Sequence, residues 1–260
     1  MGEVSLTAGE ARAYQALCAF CSWALLNDVG EEDAARLARD RGLFLEPPFS
    51  QVAAEDSRSL AAWLSGADGQ GGAHALAREA HLDRSYLFYM VGQSRTSPYE
   101  SVYRTDDATL FGPTTFEVRD LYAAHGLAYE RNSREPDDHL GLELAFLAHL
   151  LGEAADGAEA GEPEGAAAVP AAGDAGGAAR VGADGNERAA AAPLAQAGAF
   201  LSEHVLVFAP VYLANVRTRA RSAYYRAVAG IAASAIGALA CALGAQPEET
   251  ADEARFLLAE

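Results

Sequence analysis

The residues best equipped for chemistry stand together at Glu135-Pro136-Asp137-Asp138-His139, with Glu143 four residues beyond His139. A carboxylate beside an imidazole can orient it for proton transfer. The same groups can hold a divalent cation. On a helix His139 and Glu143 share a face, so one reading is a small metal-dependent hydrolase using Asp138, His139 and Glu143. Zinc needs three or four converging ligands. No second motif supplies them, and His149 is only a distant helper, so neither a metal nor another cofactor is expected. The structural explanation uses the same letters differently. Pro136 suits the first turn of a helix, and Asp137 and Asp138 suit its positive end. Cys18 and Cys21 form a lone C-x-x-C inside an apolar helical pattern, which reads as buried core. There is no G-x-S-x-G. The chain also contains no lysine, which removes Schiff-base chemistry and the lysine-bearing phosphate loop.

The formal charge is -18 over 260 residues, and half the residues are apolar. Such a chain can bury a sizeable core but repels nucleic acid, so no nucleic-acid partner is expected. A basic peptide fits better. The first residues lack a basic n-region and a leader-like apolar run, so a cytoplasmic location without an export signal is expected. Ala227 to Ala245 carries no charge, but Ala and Gly dominate it. Its insertion into a bilayer would be weakly driven, so it reads as a closely packed helix rather than a membrane span.

The elements that must position these groups all read as helices. Thr7 and Glu10 make a capping box, followed by a stripe through Tyr14, Leu17, Cys21, Ala24 and Leu25. Further helices are expected from Glu31 to Arg41, around Leu60, Trp63 and Leu64, and from His74 to Val91, whose end SYLFYMV is apolar almost all round. A turn follows with Tyr99 and Tyr103, then a helix from Thr114 or Thr115 to Gly126. Glu130 to Arg134 reads as a linker. Leu140, Leu144, Leu147 and Leu151 form one helical stripe. Gly152 to Ala192, rich in Ala and Gly and without an aromatic residue, reads as a disordered insertion. Helices resume at Pro193, Pro210 kinks or interrupts them, and a last helix is expected from Glu248 to Leu258. The fold class is all-α, a bundle of one or two lobes. Residues 1–129 form an N-terminal lobe, 130–139 a hinge, and 140–260 a C-terminal lobe carrying the insertion at 152–192.

Glu135-Pro136-Asp137-Asp138-His139 followed by LGLELAFLAHL resembles the signature of the TorD/DmsD family of molybdoenzyme maturation chaperones. LDRSYLFYMVG followed by SPYESVY is similar to that family's tyrosine-bearing helix end and Pro-x-Glu-Ser loop. FLSEHVLVFAPVYLANVRTRARSAYYRAVA is similar to its C-terminal helix pair. The resemblance implies an all-helical protein that is not an enzyme. It implies binding of the twin-arginine leader and apoprotein of a molybdopterin oxidoreductase in the cytoplasm, until the cofactor is loaded and export follows. It carries Asp138 and His139 onto the family's Asp-His pair, Tyr86 onto the aromatic position of the helix, and Pro98, Tyr99, Glu100 and Ser101 onto the loop. Tyr89 and Met90 stand where the family usually has Leu-Phe, so the apolar wall differs. The expected leader site is thus Tyr86, Tyr89, Met90, Pro98, Tyr99, Glu100, Ser101, Glu135, Pro136, Asp137, Asp138 and His139. Carboxylates such as Asp138 and Glu135 would take the guanidinium groups bidentately. The protein would be a monomer or a domain-swapped dimer, and not an integral membrane protein.

Overall fold

In a computed structural model, residues 6–89, 96–105, 107–128, 135–160, 184–248 and 251 are described, and among them every regular element is helical. Met90, the linker Glu130 to Arg134, the middle of the expected insertion at 161–183 and most of the expected helix from Glu248 to Leu258 lie outside the described residues. Helix α1 (Ala8–Leu26) opens on the expected box: Thr7 accepts from the Glu10 N–H, and Glu10 accepts from Thr7. Helices α2 (Glu31–Arg39), α3 (Phe49–Val52), α4 (Ala54–Leu64) and α5 (Gly72–Arg84) follow. The helix expected to reach Val91 loosens instead into a π-turn at Ser85–Tyr89. Short α6 (Glu100–Arg104) and α7 (Pro113–Ala124) precede α8 (Leu140–Glu159). Then come α9 (Asp184–Phe200), a second π-turn at Leu201–Val205, α10 (Leu206–Arg219) and α11 (Ala223–Leu243).

The expected lobes share one core. α1 packs most extensively on α8, α8 also packs on α9, and α11 reaches both α1 and α4. Leu17, Leu25, Leu60, Leu140, Leu147, Phe208, Tyr224 and Tyr225 belong to a single apolar cluster drawn from both halves of the sequence. Cys18 and Cys21 are buried in it as free thiols, and burial pushes the Cys18 thiol up to about 12. α11 is indeed a packed helix whose small residues allow close approach: the Asp56 carboxylate lies where a side chain on Gly230 would begin. Two helical stretches, Ala190–Arg219 and Ala223–Leu243, have the length and apolarity of a membrane span, but most of each apolar window is buried in the core.

The segment read as a disordered insertion from 152 is corrected at both ends. α8 continues through Gly152, Ala154 and Ala155, all buried, to Glu159. Arg12 of α1 holds this end through Asp156 and through Glu159 at 3.0 Å. α9 begins at Asp184, so Pro193 lies inside a helix rather than starting one. The alanines that deprive this stretch of large apolar area also favour helix, and α1 supplies the packing partner that local composition does not reveal.

Candidate functional site

The two motif segments meet. Tyr99 and His139 form an isolated antiparallel bridge, in which the Leu140 N–H donates to Pro98 O (2.8 Å) and the Glu100 N–H to Asp138 O (3.0 Å). Pro136 and the two aspartates therefore precede α8 in extended or turn backbone, against the expectation that Pro136 opens the helix. The N-cap is His139, whose Nδ1 accepts from the Gly141 N–H at 2.9 Å. An imidazole lone pair takes the place of the oxygen that usually caps a helix start. Burial, helped by the Arg84 charge, pushes the His139 pKa down to about 3, so the ring is neutral and able to accept.

Asp138 is fully buried and both its oxygens are occupied. Oδ2 accepts from the Ser101 N–H at the start of α6 (2.8 Å), and Oδ1 from the Thr115 hydroxyl in the first turn of α7 (2.9 Å). It ties three helix starts together and has no free oxygen for a guanidinium group. Asp137 pairs with Arg119 at 2.6 Å, and its carbonyl accepts from the Tyr122 hydroxyl at 3.3 Å. Glu100 is buried between Arg104 (2.6 Å) and His204 Nδ1 (3.0 Å). Pro98, Ser101 and Pro136 are buried as well.

What this joint leaves at the surface is Glu135, Tyr99 and Tyr89. The Tyr99 hydroxyl donates to Glu135, and its ring stands edge-on to His139 at 5.3 Å. Burial, followed by the hydrogen bond to the Glu135 carboxylate and its charge, raises the Tyr99 pKa well above its usual range, so the phenol stays a donor. Tyr89, 65% exposed, projects from the π-turn. Tyr86 lies on the same turn but is covered by the Arg221 guanidinium, 3.5 Å from its ring centre. The expected set is thus brought together in part: residues 98–101 and 135–139 are in direct contact, Tyr89 bears on Tyr99 only electrostatically, and Tyr86 is engaged with the start of α11.

Two residues the sequence analysis did not select organise this region. Arg84 reaches the last carbonyls of α1, with Leu25 O at 3.0 Å, Leu26 O at 3.1 Å and Asn27 O at 3.2 Å, where a cation is favoured. It also bears electrostatically on His139 and Tyr89. Asp83 caps α11 from outside, accepting from the Ser222 N–H (2.8 Å) and hydroxyl (2.6 Å). Adjacent opposite charges at the end of an amphipathic helix were the available signal, but their partners lie far off in sequence.

The metal-hydrolase reading does not survive this geometry. Asp138 and His139 are engaged as described, and Glu143 is fully buried with neither oxygen in a hydrogen bond among the described residues. Burial, then the Glu100 and Asp138 charges, raises the Glu143 pKa well above the usual carboxylate range. A concavity lies nearby: Glu117, Asp120 and Leu121 of α7 face Glu203 and His204 of the second π-turn across an open, acidic cleft.

The sequence of the chain matches known proteins. Residues 46–214 fit the family model described as nitrate reductase delta subunit. The chain is similar to the chaperone protein TorD of Vibrio cholerae, 43% identical over 72 residues, which cover 28% of this chain and 32% of that one. It is similar to the probable Tat proofreading chaperone DmsD of Haemophilus influenzae, 35% identical over 65 residues, 25% of this chain and 32% of that one. A TorD of a Psychrobacter species is 30% identical over 80 residues, 31% and 36% of the two chains. The matched stretch spans about a third of each curated relative's length. The family model, by contrast, covers well over half of this chain. The chain belongs to the nitrate reductase delta subunit family, the family of the TorD and DmsD chaperones, whose members are not enzymes.

Proposed function

We propose that this protein is a cytoplasmic chaperone that binds the twin-arginine leader of a molybdopterin-containing oxidoreductase and holds the apoprotein until its cofactor is inserted. The observation that supports this reading is the bridge between the two motif segments, which brings Tyr99 and Glu135 together at the surface, with the exposed Tyr89 close enough to bear electrostatically on Tyr99. A leader of this class is cationic and then apolar. Glu135 offers a carboxylate for a guanidinium group, and the tyrosines offer flat apolar area with polar tips for the leader's apolar stretch. The buried residues 98, 100, 101, 136, 138 and 139 act by holding that surface in place. The net charge of -18 steers a basic peptide towards it, more weakly as salt rises.

Calorimetric titration with a synthetic twin-arginine leader tests this. Saturable binding is expected, lost when both arginines of the peptide are replaced by alanine. Glu135→Gln combined with Tyr89→Ala should weaken it by roughly tenfold, the scale of one charged contact and one aromatic contact. Absence of binding to any such leader overturns the function. The cleft of Glu117, Asp120 and Glu203 supports a second seat for the arginines. If Glu117→Gln with Asp120→Asn abolishes binding while the Glu135 variant does not, the site moves there.

A further inference from the structure

We propose that His125, His149 and Glu153 form a binding site for a zinc-class divalent cation, joining the end of α7 to the middle of α8. The inference is independent of leader binding. Each residue offers one ligand atom, and the three atoms lie within 4.8 Å of one another. His149 and Glu153 are one helical turn apart on α8 and share a face. His125 is the C-cap of α7, and Gly126, at φ 69°, turns the chain immediately after it. That left-handed turn suits glycine, and the His125 imidazole lies against Phe146, His149 and Glu153 of α8.

Both pairs stand at ion-pair distance, and the separations are also close to those between ligands of one metal ion. His125 Nδ1 lies 3.7 Å from Glu153 Oε2, and His149 Nε2 lies 3.4 Å from Glu153 Oε1. Ligands at about 2.0–2.1 Å around a tetrahedral zinc are separated by about 3.4 Å. His149 Nε2 is shielded from solvent yet has no hydrogen-bond partner among the described residues. A shielded ring nitrogen without a partner carries a cost that a bound cation would remove. Phe146 stands edge-on to the His125 ring at 5.2 Å and limits its rotation, and the two imidazoles are edge-on to each other at 5.9 Å. Side-chain exposures of 18%, 32% and 43% leave one side open for a water as fourth ligand. Two imidazoles and one carboxylate suit zinc rather than calcium or magnesium, which prefer oxygen alone. A cation here would pin α7, whose Arg119 and Thr115 hold Asp137 and Asp138.

The test uses the full chain, stripped with a chelator and titrated with zinc sulfate by calorimetry, with melting followed in parallel. One zinc per chain at micromolar affinity or tighter is expected, together with a rise in Tm. His149→Gln and Glu153→Gln, both at partly exposed positions, should each weaken binding by roughly tenfold or more while circular dichroism is unchanged. The exposed pair partner His74 and the exposed Cys241 serve as controls, and His74→Ala and Cys241→Ser should bind as the parent does. Cobalt substitution should give tetrahedral d–d bands without thiolate charge transfer. No saturable uptake at micromolar zinc, parent-like binding by His149→Gln and Glu153→Gln, or a thiolate band abolished by Cys241→Ser would each overturn the proposal.

Discussion

At the start of α8 an imidazole and a carboxylate are fully engaged, whereas about 15 Å further along the same helix two imidazoles and a carboxylate are not. His139 gives its lone pair to the Gly141 N–H, and Asp138 gives both oxygens to Ser101 and Thr115. His149 and Glu153 approach each other at 3.4 Å without forming a hydrogen bond. The first group dominates the sequence because its letters are adjacent, and the second is inconspicuous because its letters are scattered. The difference teaches that residue types nominate a site, while unengaged lone pairs qualify it. In this chain the signature pair Asp138-His139 is architecture, and the recognition proposed above would fall to its neighbours at the surface.

The largest effect that would sharpen this contrast is at Asp138. Asp138→Ala leaves the Ser101 N–H and the Thr115 hydroxyl buried without an acceptor and should destabilise the fold by about 3 kcal/mol in urea titrations. A loss under about 1 kcal/mol would mean the carboxylate is not structural. Loss of leader binding by this variant is therefore uninformative unless its folding is measured first.

Of intermediate size are two opposed pH dependences. The folded pKa of His139 is depressed, from 6.5 to about 3. Its contribution is present above pH 6.5 and is lost as pH falls towards 3, because the unfolded chain takes up the proton first. Glu143 is the reverse, since its folded pKa is raised above 4.5. Stability is intact below 4.5 and is lost as pH rises, because the buried acid must then hold its proton or ionise without a partner. Glu143→Gln should thus be stabilising by about 1 kcal/mol near neutral pH, with the gain vanishing below pH 4.5. His139→Asn, which keeps a capping acceptor, should flatten the acid limb below pH 6.5. Stability-versus-pH curves for the two variants that run parallel to the parent's would show that neither group titrates as its surroundings imply.

The smallest effect is expected at Glu153. Without added metal, Glu153→Gln should change stability by under about 0.5 kcal/mol in the same urea titrations, since its partners are partly exposed and no hydrogen bond is lost. A large change would place that end of α8 in the same structural class as Asp138.

The all-helical class, the Thr7 cap, the buried Cys18 and Cys21 and the close-packed α11 were legible because each rests on local periodicity or on one short interaction. The Asp138 clasp was not. Its partners are 37 and 23 residues away, and a run of acids after a proline looks locally like the opening of a helix. The π-turn at Ser85–Tyr89 was equally hidden, because an unbroken apolar run says nothing about where the ladder shifts by one residue. The end of α8 was misread because alanine-rich sequence is read as unstructured unless the helix it lies against is known.

The bridge at Tyr99 and His139 has one more consequence. Its two hydrogen bonds run between main-chain groups, which every residue except proline at a donor position can supply. The bridge itself therefore tolerates other side chains, apart from Asp138 and His139 whose side chains hold further partners, but it does not tolerate a change in the length of either segment. One amino acid added or dropped on either side would throw Glu100 and Asp138 out of step together, severing the caps of α6 and α8 at a stroke.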